Sequence, residues 1–292
     1  MQRRYFTLDV FTKRRFAGNP LAVVLDSEGL DTSTMQAIAA EFNIPETVFV
    51  LPPKDARNRA AVRIFTPKRE LPFAGHPTVG TAVLLALVDR GDAERDIVLE
   101  EAIGPVPCRV RAAERSGTAS FALAKLPEET GPAPSAHALA ESLGLRAADI
   151  GFDRFRPSCW SAGNPMVFVP LKTRDAVARA TPDTARVSEF SGAVFVFTAE
   201  TLDRAHAFHA RMFAPQLGIP EDPATGSAAA AFSGLLAKSG LADSSHSIVI
   251  EQGYEMGRPS LITLGMTIEA GKLVGASVGG DAVVVSEGRI EA

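Results

Sequence analysis

His76 and Asp222 head two copies of one pattern, [His/Asp]-Pro-x-x-Gly-[Thr/Ser]-Ala. The copies are His76-Pro77-Thr78-Val79-Gly80-Thr81-Ala82 and Asp222-Pro223-Ala224-Thr225-Gly226-Ser227-Ala228. Each runs into an apolar segment, Val83 to Val88 in the first and Ala229 to Ala237 in the second. Asp favours the N-cap and Pro the first helical position, so the pattern predicts two helix starts capped by His76 and Asp222. First-turn N–H groups and the positive dipole end suit an anion, and Gly226 and Ser227 leave room for its approach. An imidazole and a carboxylate placed this way could bind and polarise a substrate. Taken singly, Asp222 reads as an ordinary N-cap and His76 as a structural histidine; their matched positions favour function for both.

The offset between them is 146 residues (222 minus 76), and other blocks recur at nearly the same distance. Ala17-Gly18-Asn19-Pro20 matches Ala162-Gly163-Asn164-Pro165, Arg63-Ile64-Phe65 matches Arg211-Met212-Phe213, and Val98-Leu99-Glu100 matches Val249-Ile250-Glu251. Blocks in one order at a slowly drifting offset mark an internal duplication. Each copy predicts strands around a Gly-Asn-Pro turn, then a β-rich run, then one helix apolar on every side. In the first copy Asp31 opens a helix, residues 46–51 begin the β-rich run, and the apolar helix spans 77–89. In the second, that helix spans 223–238, and strands follow at 247–252, 260–269, 272–278 and 282–286. A helix without a polar face belongs inside a sheet. The expected fold is α+β: two pseudo-symmetric domains, each a β-barrel around a central apolar helix. The boundaries are 1–127 and 135–275, with a proline-rich linker over 127–134 and a C-terminal strand near 276–292 as a candidate to join the first domain. Pseudo-twofold packing would bring both helix starts to one inter-domain cleft, where small-molecule sites tend to lie.

The chain has 292 residues, 46% hydrophobic and 22% charged, with a net charge of -4, which suits a globular protein. That charge offers no basic field for nucleic acid or anionic lipid. No run reaches the roughly 18 apolar residues of a membrane helix. Cys108 and Cys159 form neither a metal spacing nor a disulfide framework, which points to the cytoplasm and to buried small hydrophobes.

Gly18-Asn19-Pro20, Pro45-Glu46-Thr47-Val48-Phe49, Gly75-His76-Pro77-Thr78 and Glu221-Asp222-Pro223-Ala224-Thr225-Gly226-Ser227-Ala228 together resemble the PhzF family. These are phenazine-biosynthesis-like isomerases within the diaminopimelate epimerase-like fold, and the motifs keep the family's order along essentially the whole chain. The resemblance implies a homodimer, no cofactor and no metal, and a small carboxylate-bearing substrate. It also implies that Glu46 shuttles a proton between carbons, a role that periodicity alone would not assign. His76 and Asp222 would orient the substrate, and Asn19, Gly75, Gly226 and Ser227 would bind it. A carboxyl in a closed, partly apolar cleft can exchange protons near neutral pH, and Phe49 and Phe73 are candidates to dry it. Related epimerases and racemases use a cysteine pair where this chain has His76 and Asp222, so two-thiol racemisation is disfavoured. Two alternatives stay open: a racemase or epimerase using Glu46, Asp222 or His76, and a non-catalytic binding or regulatory protein on the same fold.

Overall fold

A computed structural model describes residues 1–90, 92–240 and 244–292. The chain divides into two compact units: Met1–Ala122 with Gly279–Ala292, and Leu123–Val278.

The first unit contains β1 (Gln2–Val10), β2 (Asn19–Val24), α1 (Thr32–Phe42), β3 (Glu46–Leu51), β4 (Ala60–Phe65) and β5 (Glu70–Leu71). After these come α2 (Gly75–Val88), β6 (Arg95–Glu101), β7 (Gly104–Ala113) and β8 (Ser116–Ala122). β2 pairs parallel to β3 and β4 parallel to β6; β1–β2, β3–β4, β6–β7 and β7–β8 are antiparallel. The late half of β17 (Lys272–Glu291) pairs with both β8 and β1. The ring β1-β2-β3-β4-β6-β7-β8-β17 is therefore closed, with no free edge to cover.

α2 fills this barrel and is buried continuously from Gly75 to Ala86. It has no polar face because strands surround it, and each buried Val or Leu contributes roughly 1.5–3 kcal/mol. Gly80 is the small residue that closeness demands: a Cβ there would lie 2.5 Å from the Leu21 side chain and 2.7 Å from that of Val10. Outside the barrel, α1 covers Val24, Phe49 and Phe65 with Met35 and Ala39. Its Asp31 cap, read from the sequence, accepts the Thr34 N–H, and Asn43 ends it in the left-handed region.

The second unit repeats the order. It has β9 (Glu128–Gly131), α3 (Ala136–Ser142), β10 (Ser158–Ser161), β11 (Pro165–Pro170), α4 (Arg174–Arg179) and α5 (Thr184–Ser188). It continues with β12 (Ala193–Thr198), β13 (Phe208–Ala214), β14 (Ile219–Asp222), α6 (Gly226–Lys238), β15 (His246–Gln252) and β16 (Ser260–Glu269). β11 lies parallel to β12 and β13 parallel to β15, as β2 lies to β3 and β4 to β6. α6 touches β9, β10 and β11 on one side and β16 on another, so the sheet wraps it. α3, α4 and α5 cover the outer face, where Leu139, Val177 and Val187 pack on Val167, Val194 and Phe213.

Three sequence expectations change here. The segment read as a linker over 127–134 carries β9, which pairs antiparallel with β10 and so has backbone partners of its own. The two strands expected at 272–278 and 282–286 are one continuous strand, β17. The third change is the register at which the two central helices begin.

Candidate active site

Glu46 is the first residue of β3, and Leu21, just after the Gly-Asn-Pro turn, is its partner on β2. The matched register in the second unit pairs Met166 with Ala193. The duplicated scaffold thus carries a carboxyl in one copy and a methyl in the other. Residues alternate across a strand, so Glu46 and Val48 face the barrel interior while Phe49 faces α1. Phe49 packs in the outer cluster with Met35 and Phe65 and does not dry the site. Phe73 sits edge-on to Phe121, ring centroids 5.4 Å apart.

His76 lies in the first turn of α2, with Nε2 3.2 Å from Glu46 Oε2. Both residues are buried, at 6% and 8% exposure. Burial pushes the imidazole down to about 3, against a hydrogen bond to the Pro20 backbone that would raise it. His76 is therefore neutral at physiological pH and does not act as a counter-ion for Glu46. With Nε2 on the Glu46 side, Nδ1–H is the donor to the Pro20 carbonyl, and Nε2 presents a lone pair to the carboxyl. Asn19, fully buried at the start of β2, precedes the proline that orients the ring. Gly75 opens α2. The N–H groups of Gly75 and His76 have no intrahelical acceptor, and Pro77 has none to donate.

His76 is not the helix cap that the sequence pattern predicted; Ala74 holds that position, and the Thr78 N–H and Oγ1 both bond back to its carbonyl at 3.2 and 2.8 Å. Asp222 is not a cap either. It ends β14, and α6 begins at Gly226 with Thr225 as its N-cap. The cause is Gln252 on β15. Its Oε1 accepts the Thr225 N–H at 3.1 Å, and its Nε2 donates to the Asp222 carbonyl at 2.7 Å and to Thr225 Oγ1 at 3.0 Å. The Thr225 N–H is thereby withdrawn from helical use. The Thr225 hydroxyl donates onward to Asp222 Oδ2 at 2.5 Å, which fixes that carboxylate's direction. Gly226, Ser227 and Ala228 then offer first-turn N–H groups, and the Ala229 N–H closes the turn on Thr225.

The structure thus groups Glu46, His76, Asn19 and Gly75 in the first unit, and Asp222, Gly226 and Ser227 in the second. Sequence reasoning missed Thr225 and Gln252, which set the Asp222 turn, and Thr78 and Glu101, which occupy the corresponding region of the first unit. A signal was present: one residue beyond the matched blocks ending at Glu100 and Glu251 come Glu101 and Gln252. Both cysteines are buried thiols, as expected, and burial together with Glu101 pushes Cys108 up to about 12. Among the described residues no group of three or more His, Cys, Asp or Glu has a metal-binding arrangement, and no helix is long and apolar enough to cross a membrane.

The family model for phenazine biosynthesis-like proteins, PhzC–PhzF, matches residues 8–288. An uncharacterized isomerase of Mesorhizobium japonicum is 47% identical over 99% of this chain and 98% of its own. The trans-2,3-dihydro-3-hydroxyanthranilate isomerase of Pseudomonas chlororaphis is 35% identical, over 98% of each chain. Among solved structures, the Bacillus anthracis phenazine biosynthesis protein of the PhzF family superposes with a TM-score of 0.90 at 28% identity, covering all of both chains. A closed barrel around a buried helix, a Glu–His pair at its mouth residues and whole-length similarity to these isomerases converge: the chain belongs to the PhzC–PhzF family and is an isomerase of the PhzF type.

Proposed function

We propose that the protein moves a proton on a small carboxylate-bearing substrate by general acid/base catalysis, with Glu46 as the carrier and no cofactor. The observation that carries this is the buried Glu46–His76 pair, 3.2 Å apart with a neutral imidazole. A cationic partner would hold Glu46 ionised. A neutral Nε2 lone pair accepts a hydrogen bond from the carboxylic acid, and once Glu46 has given its proton to the substrate the carboxylate is free to take one back. Glu46 takes a proton from one carbon of the substrate and returns it at another. One C=C bond shifts, and nothing is oxidised or reduced. His76 and Asp222 orient polar groups of the substrate, and Asn19 binds it. The amides of Gly75, Gly226 and Ser227 favour its negative charge through their helix ends.

Thiol-based inversion of a carbon centre finds no support, since burial raises both cysteine thiols away from the reactive thiolate. The test is incubation of wild type and Glu46→Gln with trans-2,3-dihydro-3-hydroxyanthranilate in deuterated water, followed by NMR. Wild type is expected to convert the compound with deuterium uptake. Glu46→Gln is expected to lose about 10²–10⁴-fold in rate while remaining folded. Wild-type rates in Glu46→Gln would refute the assignment.

A further inference from the structure

Glu101, the last residue of β6, is 7% exposed, and its Oε1 lies 2.6 Å from Thr78 Oγ1 on α2. Its other oxygen, Oε2, is buried without a hydrogen-bond partner. Thr78 Oγ1 also lies 2.8 Å from the Ala74 carbonyl. A hydroxyl has one hydrogen, and a carbonyl has none to give. If Thr78 donates to Ala74, the proton in the short contact must come from Glu101.

The second unit has a related relay with a residue that is always neutral, running through Thr225, one position beyond the match to Thr78, which is Ala224. At the matched position Gln252 Nε2 donates to Thr225 Oγ1, which donates onward to Asp222. We propose that Glu101 is a positioning residue for the His76 turn: as a neutral carboxylic acid it donates to Thr78, and its ionisation releases that turn. This rests on the reading of His76 as part of the reacting site.

The surroundings agree. On α2 the titratable side chain is His76, which is uncharged. On β7, Cys108 stays a thiol, while Arg111 is exposed and Arg109 is exposed and engaged with Asp96. On β4, Arg63 is held by Glu70, and β8 carries no titratable residue. Among the described residues of these elements, therefore, no cation stands ready to hold Glu101 as a carboxylate. Burial pushes its carboxyl up to about 7, so the change of state falls at physiological pH.

The experiment compares wild type with Glu101→Gln from pH 5.5 to 8.5 by three readouts. The first is the infrared carbonyl band of a protonated carboxylic acid, expected at pH 6 in wild type, fading through about pH 7 and missing from Glu101→Gln. The second is ¹⁵N NMR of the His76 ring, assigned with His76→Gln. It is expected to shift over that pH range in wild type and to stay fixed in the variant. The third is isomerisation, where wild-type kcat is expected to fall about tenfold between pH 6 and 8 with KM little changed. That loss is expected to be absent in Glu101→Gln. No acid band at pH 6 overturns the neutral assignment. A band without a shift of the His76 ring overturns the positioning role. Failure of wild type to isomerise the compound counts against the proposed function alone, because the first two readouts need no turnover.

Discussion

The interiors of the two units solve one packing problem in opposite ways. In the first, the central helix supplies the bulk: Val83, Leu84 and Leu85 pack inside a wall whose inward residues include Val23, Val48, Val50 and Ala60. In the second, the helix is thin, with Ala229, Ala230 and Ala231 at the matching places, and the wall is thick. Phe168, Phe195, Phe197 and Phe208 converge on Phe232, with ring centroids 4.8 to 5.9 Å away. Cores conserve volume more strictly than identity. Duplicated interiors can therefore trade side chains between helix and strand. The blocks that stay recognisable are those where a side chain serves the backbone.

Glu100 and Glu251 are such a pair. Glu100 accepts from the Lys54 and Asp55 N–H groups and from Asn58; Glu251 accepts from the Leu202 and Asp203 N–H groups and from His206. The elbow is the same in both, but its neighbour on the adjacent strand is Ala61 in one unit and His209 in the other. His209 bridges Glu251 at 2.9 Å and Glu255 at 2.9 Å; the ring and Glu251 are fully buried, while Glu255 is exposed.

Three tests, using five substitutions, would break or sharpen this comparison, beginning with the one of largest effect. Phe232→Ala should cost about 3–5 kcal/mol in urea denaturation, because the alanine helix cannot collapse into the space. Its counterpart Ala86→Phe should cost about 1–3 kcal/mol by overpacking the valine-lined barrel. A neutral Ala86→Phe would mean that the two interiors are not complementary solutions.

His209→Ala should cost up to about 3–5 kcal/mol near pH 6, because it leaves two carboxylates without their bridging ring. Burial alone would depress the imidazole; Glu255 and Glu251 outweigh that and raise its pKa. Its contribution is then full below the ordinary 6.5 and lost as pH rises through the raised value. Glu251 and Glu255 are opposed by burial, yet their hydrogen bonds lower both pKa values, so their contribution is full above 4.5 and lost as pH falls. The deficit of the variant should peak between those limits and shrink by pH 9. A pH-independent deficit would make the ring a packing element only.

The smallest effect separates the matched arginines. Each covers a phenylalanine, Arg63 at 5.1 Å from the Phe65 ring and Arg211 at 4.8 Å from that of Phe213. Arg211 is also buried against Glu221 and donates to the Val177, Ala178 and Ala180 carbonyls, whereas Arg63 meets Glu70 at the surface. Arg211→Ala should cost about 2–3 kcal/mol and Arg63→Ala less than about 1 kcal/mol in thermal denaturation. Equal costs would show that the shared ring contact, rather than the buried carbonyls, is what each arginine contributes.

Much of this was legible in the sequence. Matched blocks gave the duplication, and helices without a polar face gave a sheet-wrapped core. The starts of those helices were misread because N-cap preference is local, whereas Gln252 acts on Thr225 across 27 residues. The continuity of β17 was hidden by Gly279-Gly280, which reads as a break. A Cβ on Gly279 would lie 2.6 Å from the Ser120 side chain, so that glycine admits a neighbouring strand. Asp222 and His76 could be singled out by repetition, but Glu46 could not, because its counterpart Ala193 carries no chemistry.

The late half of β17, which closes the first barrel between β1 and β8, follows the entire second unit in the chain. During synthesis, domains ordinarily mature from the N-terminus onward. Here the order of completion is reversed. Residues 123–278 can condense as one contiguous stretch, while the barrel bearing Glu46 and His76 waits, open along two strand edges, for a strand not yet translated. In an emerging chain of this protein the first barrel thus stays incomplete until β17 seats, and for that interval its exposed edges are what a chaperone would recognise.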